Sequence, residues 1–261
     1  NSDKVYVFLD PVIPELEFGF DSARYCKGES VILDATDQYD MYEWNTGSTS
    51  QKYQVAVTGT YSVTAWNLNS ICREADSVHV IIAEPYDKES ICILTVDMET
   101  DRNLIVWEKT AGKGTMSYRI YRQTNVAGQY ELIGEVPYNN LSIFLDEVAD
   151  PEQRQWVYKI TAVDTCNNES DYAVSPYHRP LYLTYDGNDN GIVLTWEPYV
   201  VEGKEYEFLT YEIYRGTDST ALAKLDEISS DLRIYKDTDP NALKNKYYYR
   251  VAGVKADPCD P

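Results

Sequence analysis

Only two histidines stand in this chain of 261 residues, and neither has the neighbours that imidazole chemistry needs. No Ser or Cys nucleophile sits in motif context with His79 or His178, so a nucleophilic triad has no anchor. Glycine-rich phosphate loops are missing, and no pair of carboxylates stands out as acid and base. The five cysteines, Cys26, Cys72, Cys92, Cys166 and Cys259, include no CxxC pair, which argues against zinc ribbons and thioredoxin-like centres. No stretch approaches the roughly 18–20 consecutive apolar residues of a membrane span, so direct membrane insertion is not expected. No signal peptide is visible, the chain opening at Asn1 on a polar run. Positive charge is short too: 23 Lys and Arg against 43 Asp and Glu leave a net charge of −20. A field of that sign repels phosphate backbones and anionic lipid, so nucleic acid is not an expected partner.

Tyrosine is abundant, with 24 against 5 Phe, and hydrophobic residues make up 43% of the chain. Tyr suits strands with one apolar face and one wet edge, and no long segment repeats its apolar residues at helical spacing. The composition reads as all-β. The strongest pattern is an internal repeat. LIVWE at 104–108 answers VLTWE at 193–197, and SYRIYR at 117–122 answers TYEIYR at 210–215. FLDE at 144–147 then matches YKDT at 235–238, and YKITAV at 158–163 matches YRVAGV at 249–254. Each block alternates with period two, as half-buried strands do.

These blocks resemble fibronectin type III repeats. Trp107 and Trp196 fall where such a domain places the core Trp of strand B, and Tyr158 and Tyr249 open strand F, where a Tyr often anchors a corner. Upstream, CKGESVILDA at 26–35, YEW at 42–44, NTGSTS at 45–50, GTYSVTAW at 59–66 and DSVHVII at 76–82 resemble an immunoglobulin-like or PKD-like sandwich. DKVYVFLDPVIP at 3–14 parallels the end of that module. The expected organisation is the last strand of a preceding module at 1–15, a PKD-like sandwich at 16–84, and fibronectin-like repeats at 85–177 and 178–261. Strand G of the second repeat is expected to be missing or to lie further on. The fold class is thus all-β, as tandem Ig-like/PKD-like and fibronectin type III-like sandwiches in an extended array. ICILTVD at 91–97, IVWEK at 105–109, the run 126–147 and YKITAVDTCNNES at 158–170 further resemble gliding-motility-associated, type IX secreted surface proteins of Bacteroidota. That resemblance implies an extracellular or outer-cell-surface location.

In a fibronectin-like domain the start of strand A and the F–G loop share an end, which predicts a Cys92–Cys166 bridge. A single strand between strand C and Gly59 would likewise allow Cys26–Cys72, leaving Cys259 unpaired. Asp186-Gly-Asn188-Asp-Asn190-Gly191 with Glu197 matches an EF-hand loop, but strands flank it, and Glu197 would lie roughly 20 Å from Gly191. A tight turn is the better reading, with a weaker Ca²⁺ site at Asp186, Asn188 and Asn190 as the alternative. Ser22, Ser77 and Ser219 sit in short triplets that resemble Bacteroidota O-glycosylation acceptors, or are unmodified surface turns. No catalytic residue and no cofactor is expected. Two readings of function remain: a non-enzymatic spacer, whose partners are neighbouring domains of a longer chain, or an adhesin-like module binding a surface glycan or host protein. The longer B–C loop of the second repeat, with Tyr199, Tyr206 and Phe208, is the candidate binding surface. A third reading, accessory domains of a secreted hydrolase, would need an acidic pair in a cleft.

Overall fold

The structure, a computed structural model, describes residues 15–68, 72–188 and 191–261. The chain divides into two compact units, Asn1–Glu84 and Pro85–Pro261. Among the described residues both units are built from strands, without helices. The strand expected at 3–14 lies outside the described residues.

The first unit holds β1 (Ser22–Cys26), β2 (Val31–Asp34), β3 (Met41–Trp44), β4 (Lys52–Val55), β5 (Gly59–Trp66) and β6 (Arg73–Ala83). They form a four-stranded sheet in the order β1-β6-β5-β3 and a two-stranded sheet, β2-β4. Alternation sorts the side chains: Val31 and Leu33, Tyr42 and Trp44, and Tyr61, Val63 and Ala65 all turn into one core. Trp44 packs on Phe18 and Tyr53, and its indole N–H donates to Ser50 O at 2.7 Å, closing the loop that follows β3. Gly47 in that loop has φ +85°, a conformation glycine adopts without a Cβ penalty. The Tyr61 hydroxyl donates to Val57 O at 2.7 Å and ties the entry of β5 to the chain before it.

β1 runs parallel to β6, with Cys26 beside Ala83. This direction corrects the expected Cys26–Cys72 bridge, which does not form. Cys72 precedes β6, about 36 Å of strand away from Ala83 at ~3.3 Å per residue. A disulfide needs Cα atoms within about 7 Å.

The second unit opens with β7 (Ile91–Val96), β8 (Asn103–Trp107), β9 (Thr115–Gln123), β10 (Tyr130–Pro137), β11 (Ile143–Asp146), β12 (Tyr158–Asp164) and β13 (His178–Arg179). It continues with β14 (Tyr182–Asn188), β15 (Gly191–Glu197), β16 (Val200–Val201), β17 (Lys204–Glu205), β18 (Thr210–Gly216), β19 (Ala223–Ser229), β20 (Ile234–Asp237) and β21 (Tyr248–Gly253). The sheet β11-β8-β7 faces β10-β9-β12 in the first repeat, and β14-β15-β20 faces β19-β18-β21 in the second. Trp107 meets Tyr118 edge-on at 5.4 Å, and Trp196 meets Tyr211 in the same way at 5.2 Å.

Each repeat also carries the same polar corner. Tyr158 donates to Asp146 at 2.9 Å, and the Arg122 guanidinium grips both oxygens of that carboxylate at 3.0 and 2.9 Å. In the second repeat Tyr249 donates to Asp237 at 2.7 Å, and Arg215 donates to the same oxygen at 2.7 Å. Each arginine lies over an aromatic ring two residues before the corner tyrosine, Trp156 at 5.1 Å and Tyr247 at 4.6 Å. Burial alone would raise the Asp237 carboxyl, but bonds from Asp239 N–H, Tyr249 and Arg215 carry it below its ordinary value.

Candidate functional site

The extended B–C loop of the second repeat folds into a hairpin, β16 and β17, turned by Glu202 and Gly203 at φ +45° and +79°. Positive φ at both central residues matches the type I′ turn that suits strand twist. The hairpin does not stand in solvent. β13 lies between β12 of the first repeat and β16 of the second, with His178 opposite both Tyr158 and Val201. One six-stranded sheet, β10-β9-β12-β13-β16-β17, therefore crosses from repeat to repeat.

This placement corrects the expected binding loop. Tyr199 is 2% exposed and Phe208 5% exposed, while Tyr206 packs against the same core partly buried. The three rings meet edge-on or tilted, with centroids 4.9 to 5.9 Å apart, within a core that includes Trp107 and Trp196. The Tyr199 hydroxyl accepts from Leu94 N–H at 3.0 Å and lies 2.7 Å from His178 Nδ1. Burial lowers His178 to about 4, so its ring is neutral, and Nδ1 and the Tyr199 hydroxyl share one hydrogen bond. His178 is a buried residue of β13.

The cysteines of this unit correct a second expectation. Cys92 pairs with Cys259, at a Cα–Cα distance of 6.0 Å, so it does not bridge to Cys166 and Cys259 is not left over. The physical reason lies in β7, whose ladder with β8 is irregular between Ile91 and Ile93. Ile91 and Leu94 are buried, and Cys92 falls off the ladder at the irregularity. After β21 the described chain forms no further strand and runs to Cys92, with Asp260 N–H donating to Glu108 at 3.4 Å. The bridge joins residues 167 apart, and closing a loop that long is worth about 5 kcal/mol in the chain-entropy model. The paired repeats thus begin and finish at one place, which the expected end-to-end array did not include. Further ties cross the joint: Gln155 to Pro180 O and Tyr182 to Glu152 O, both at 2.9 Å, and Arg250 to Asp101 at 3.4 Å.

The remaining candidates are not brought together. Asp186 sits exposed within β14, opposite Val193, and Asn188 ends that strand opposite Gly191. Asn190 lies outside the described residues. Among the described residues no group of three His, Cys, Asp or Glu side chains could hold a metal. Ser22 and Ser77 lie in β1 and β6 rather than in turns, both exposed, and Ser219 sits half-buried in the turn after β18. His79 is exposed on β6, with Nδ1 3.0 Å from Thr60 Oγ1.

No protein-family model and no curated protein matches the chain. Among solved structures, the chicken CNTN1 FN1-FN3 domains align over 87% of this chain and 89% of theirs, at 11% identity and a TM-score of 0.31. Domains A168-A170 from titin align over 60% and 61%, at 14% identity and a TM-score of 0.33. A tetra-tandem repeat from the extending region of a large adhesion protein aligns over 83% and 57%, at 12% identity and 0.26. Among its described residues the chain is all-β, its strands arranged in several sheets.

Proposed function

We propose that this chain is a non-enzymatic structural segment of a secreted or cell-surface bacterial protein. Its paired fibronectin-like repeats act as a rigid knob. The observation that carries this reading is the joint. A continuous sheet, a shared aromatic core and the Cys92–Cys259 bridge hold the two repeats as one body whose two ends coincide. Such a body presents a fixed surface. The acidic residues at the corners are engaged in structural ion pairs, and the one buried histidine is neutral and bonded to a tyrosine, which supports a role without catalysis. The type IX route and the outer-surface address rest on the sequence resemblance, and a disulfide suits an oxidising compartment.

Residual dipolar couplings test the rigidity. Alignment tensors fitted separately to residues 85–177 and to residues 178–261 should coincide in orientation and magnitude. Tensors that diverge in oxidised protein would sink the knob and leave two domains on a hinge.

A further inference from the structure

On the outer face of the first repeat the register of four strands lays out two cross-strand rows. Tyr130, Gln123, Val157 and Arg179 form one row, and Tyr121, Lys159 and Tyr177 the next. All of these but Tyr121, together with Tyr172, which stacks on Tyr121 at 5.8 Å, line a groove of about 500 Å³. That volume is in the range of small-molecule and oligosaccharide sites.

Two cations in this groove lack counter-charges. Lys159 is 6% exposed, and its ammonium donates to a backbone carbonyl, Tyr172 O at 3.0 Å, while lying 5.3 Å from the Tyr130 ring. Among the described residues it makes no ion pair. The Nε of Arg179 is buried without a hydrogen-bond partner. The two residues are diagonal neighbours on adjacent strands, about 7–8 Å apart by sheet geometry. Of the carboxylates nearby, Glu169 binds Arg119, Tyr121 and Thr161, and Glu202 accepts Tyr177 N–H at 2.8 Å without pairing with either cation. Burying positive groups without a partner is costly, and more notable in a chain of net charge −20.

We infer that this groove binds a carboxylated oligosaccharide, with a sugar ring on the exposed face of Tyr172 and a uronate carboxylate between Lys159 and Arg179. Tyrosine faces and hydroxyls together with the Gln123 amide offer what sugar rings use, namely flat apolar contact ringed by hydrogen-bonding groups. An extended peptide fits less well. β12 is paired on both sides, by β9 and β13, and β13 by β12 and β16, so the strands that carry Lys159 and Arg179 offer no free edge for main-chain bonds. The inference does not depend on the rigidity of the joint, because a hinged pair would leave this groove intact.

Titration of the ¹⁵N-labelled chain with tetragalacturonate, its methyl ester and a hexaglutamate peptide tests the site. Saturable shifts should centre on Lys159, Tyr172 and Arg179, and the neutral ester should bind at least tenfold more weakly. Arg179→Gln and Tyr172→Ala should each weaken binding at least tenfold while the chain stays folded, since neither side chain belongs to the core cluster. Three results would overturn the assignment. One is no saturable shift with either tetragalacturonate or a hyaluronan hexasaccharide. Another is hexaglutamate binding as tightly as the sugar, which would make the groove a charge site only. The third is unchanged affinity in both variants.

Discussion

Tyr158-Lys-Ile-Thr-Ala-Val and Tyr249-Arg-Val-Ala-Gly-Val occupy the same strand in the two repeats, yet their surroundings differ. Every residue of β12 is buried, whereas every residue of β21 is only half-buried. β12 has β9 on one side and β13 on the other, while β21 pairs with β18 alone. Local pattern decides that each block is a strand, and sheet position decides how deeply it is buried. The polar corners follow the same gradient. The Arg122 side chain is 11% exposed and that of Arg215 18%. The joint, which exists only between the repeats, makes one a protected member of a larger sheet and leaves the other at its border.

Removing the covalent part of the joint should have the largest effect. The double variant Cys92→Ser/Cys259→Ser should lose up to about 5 kcal/mol. Calorimetry should then resolve the second repeat melting ahead of the first, and a single unshifted transition would show that the bridge is idle. Cutting the corners comes next. Asp146→Ala strands a cation whose remaining partner, Glu131, is itself half in solvent, and should cost about 3–5 kcal/mol by urea denaturation. Asp237→Ala leaves Arg215 its 3.0 Å pair with Asp239 and should fall at or below the lower end of that range. Equal losses would break the proposed gradient. The smallest effect belongs to His178. Its folded value is about 4 against 6.5 for the free side chain, so below pH 6.5 the unfolded chain takes up a proton that the folded chain refuses. Its contribution is complete above pH 6.5 and is lost as pH falls towards 4. Between pH 7.5 and 5 the native chain should lose about 2 kcal/mol more than His178→Gln does.

Much of the architecture was legible because it is written in period two and in duplicate. The blocks around Trp107 and Trp196 become β8 and β15, and the corner tyrosines find their carboxylates. The arginine partners were equally repeated, at Arg122 and Arg215, but a charged residue on a strand gives no sign of turning inward until its Asp is seen 24 or 22 residues away. The cysteines were misassigned for a different reason. Pairing by strand direction assumed that each sandwich closes on itself, while β1 runs parallel to β6 and the second repeat's tail reaches back to the first. Tyr199, Tyr206 and Phe208 read as an exposed platform because loop aromatics in an isolated repeat would be exposed. Leu94, whose N–H binds the Tyr199 hydroxyl, is 105 residues earlier in the chain, and only Glu202-Gly203 hinted at a hairpin rather than a loose loop.

The meeting of Cys92 and Cys259 has a mechanical consequence. Tension arriving along the chain at Pro85 and leaving towards Pro261 takes the shortest covalent route, through the sulfur bridge. The bridge closes a covalent ring over residues 92–259 that contains both repeats, so drawing their outer ends apart requires breaking a bond rather than unzipping strands.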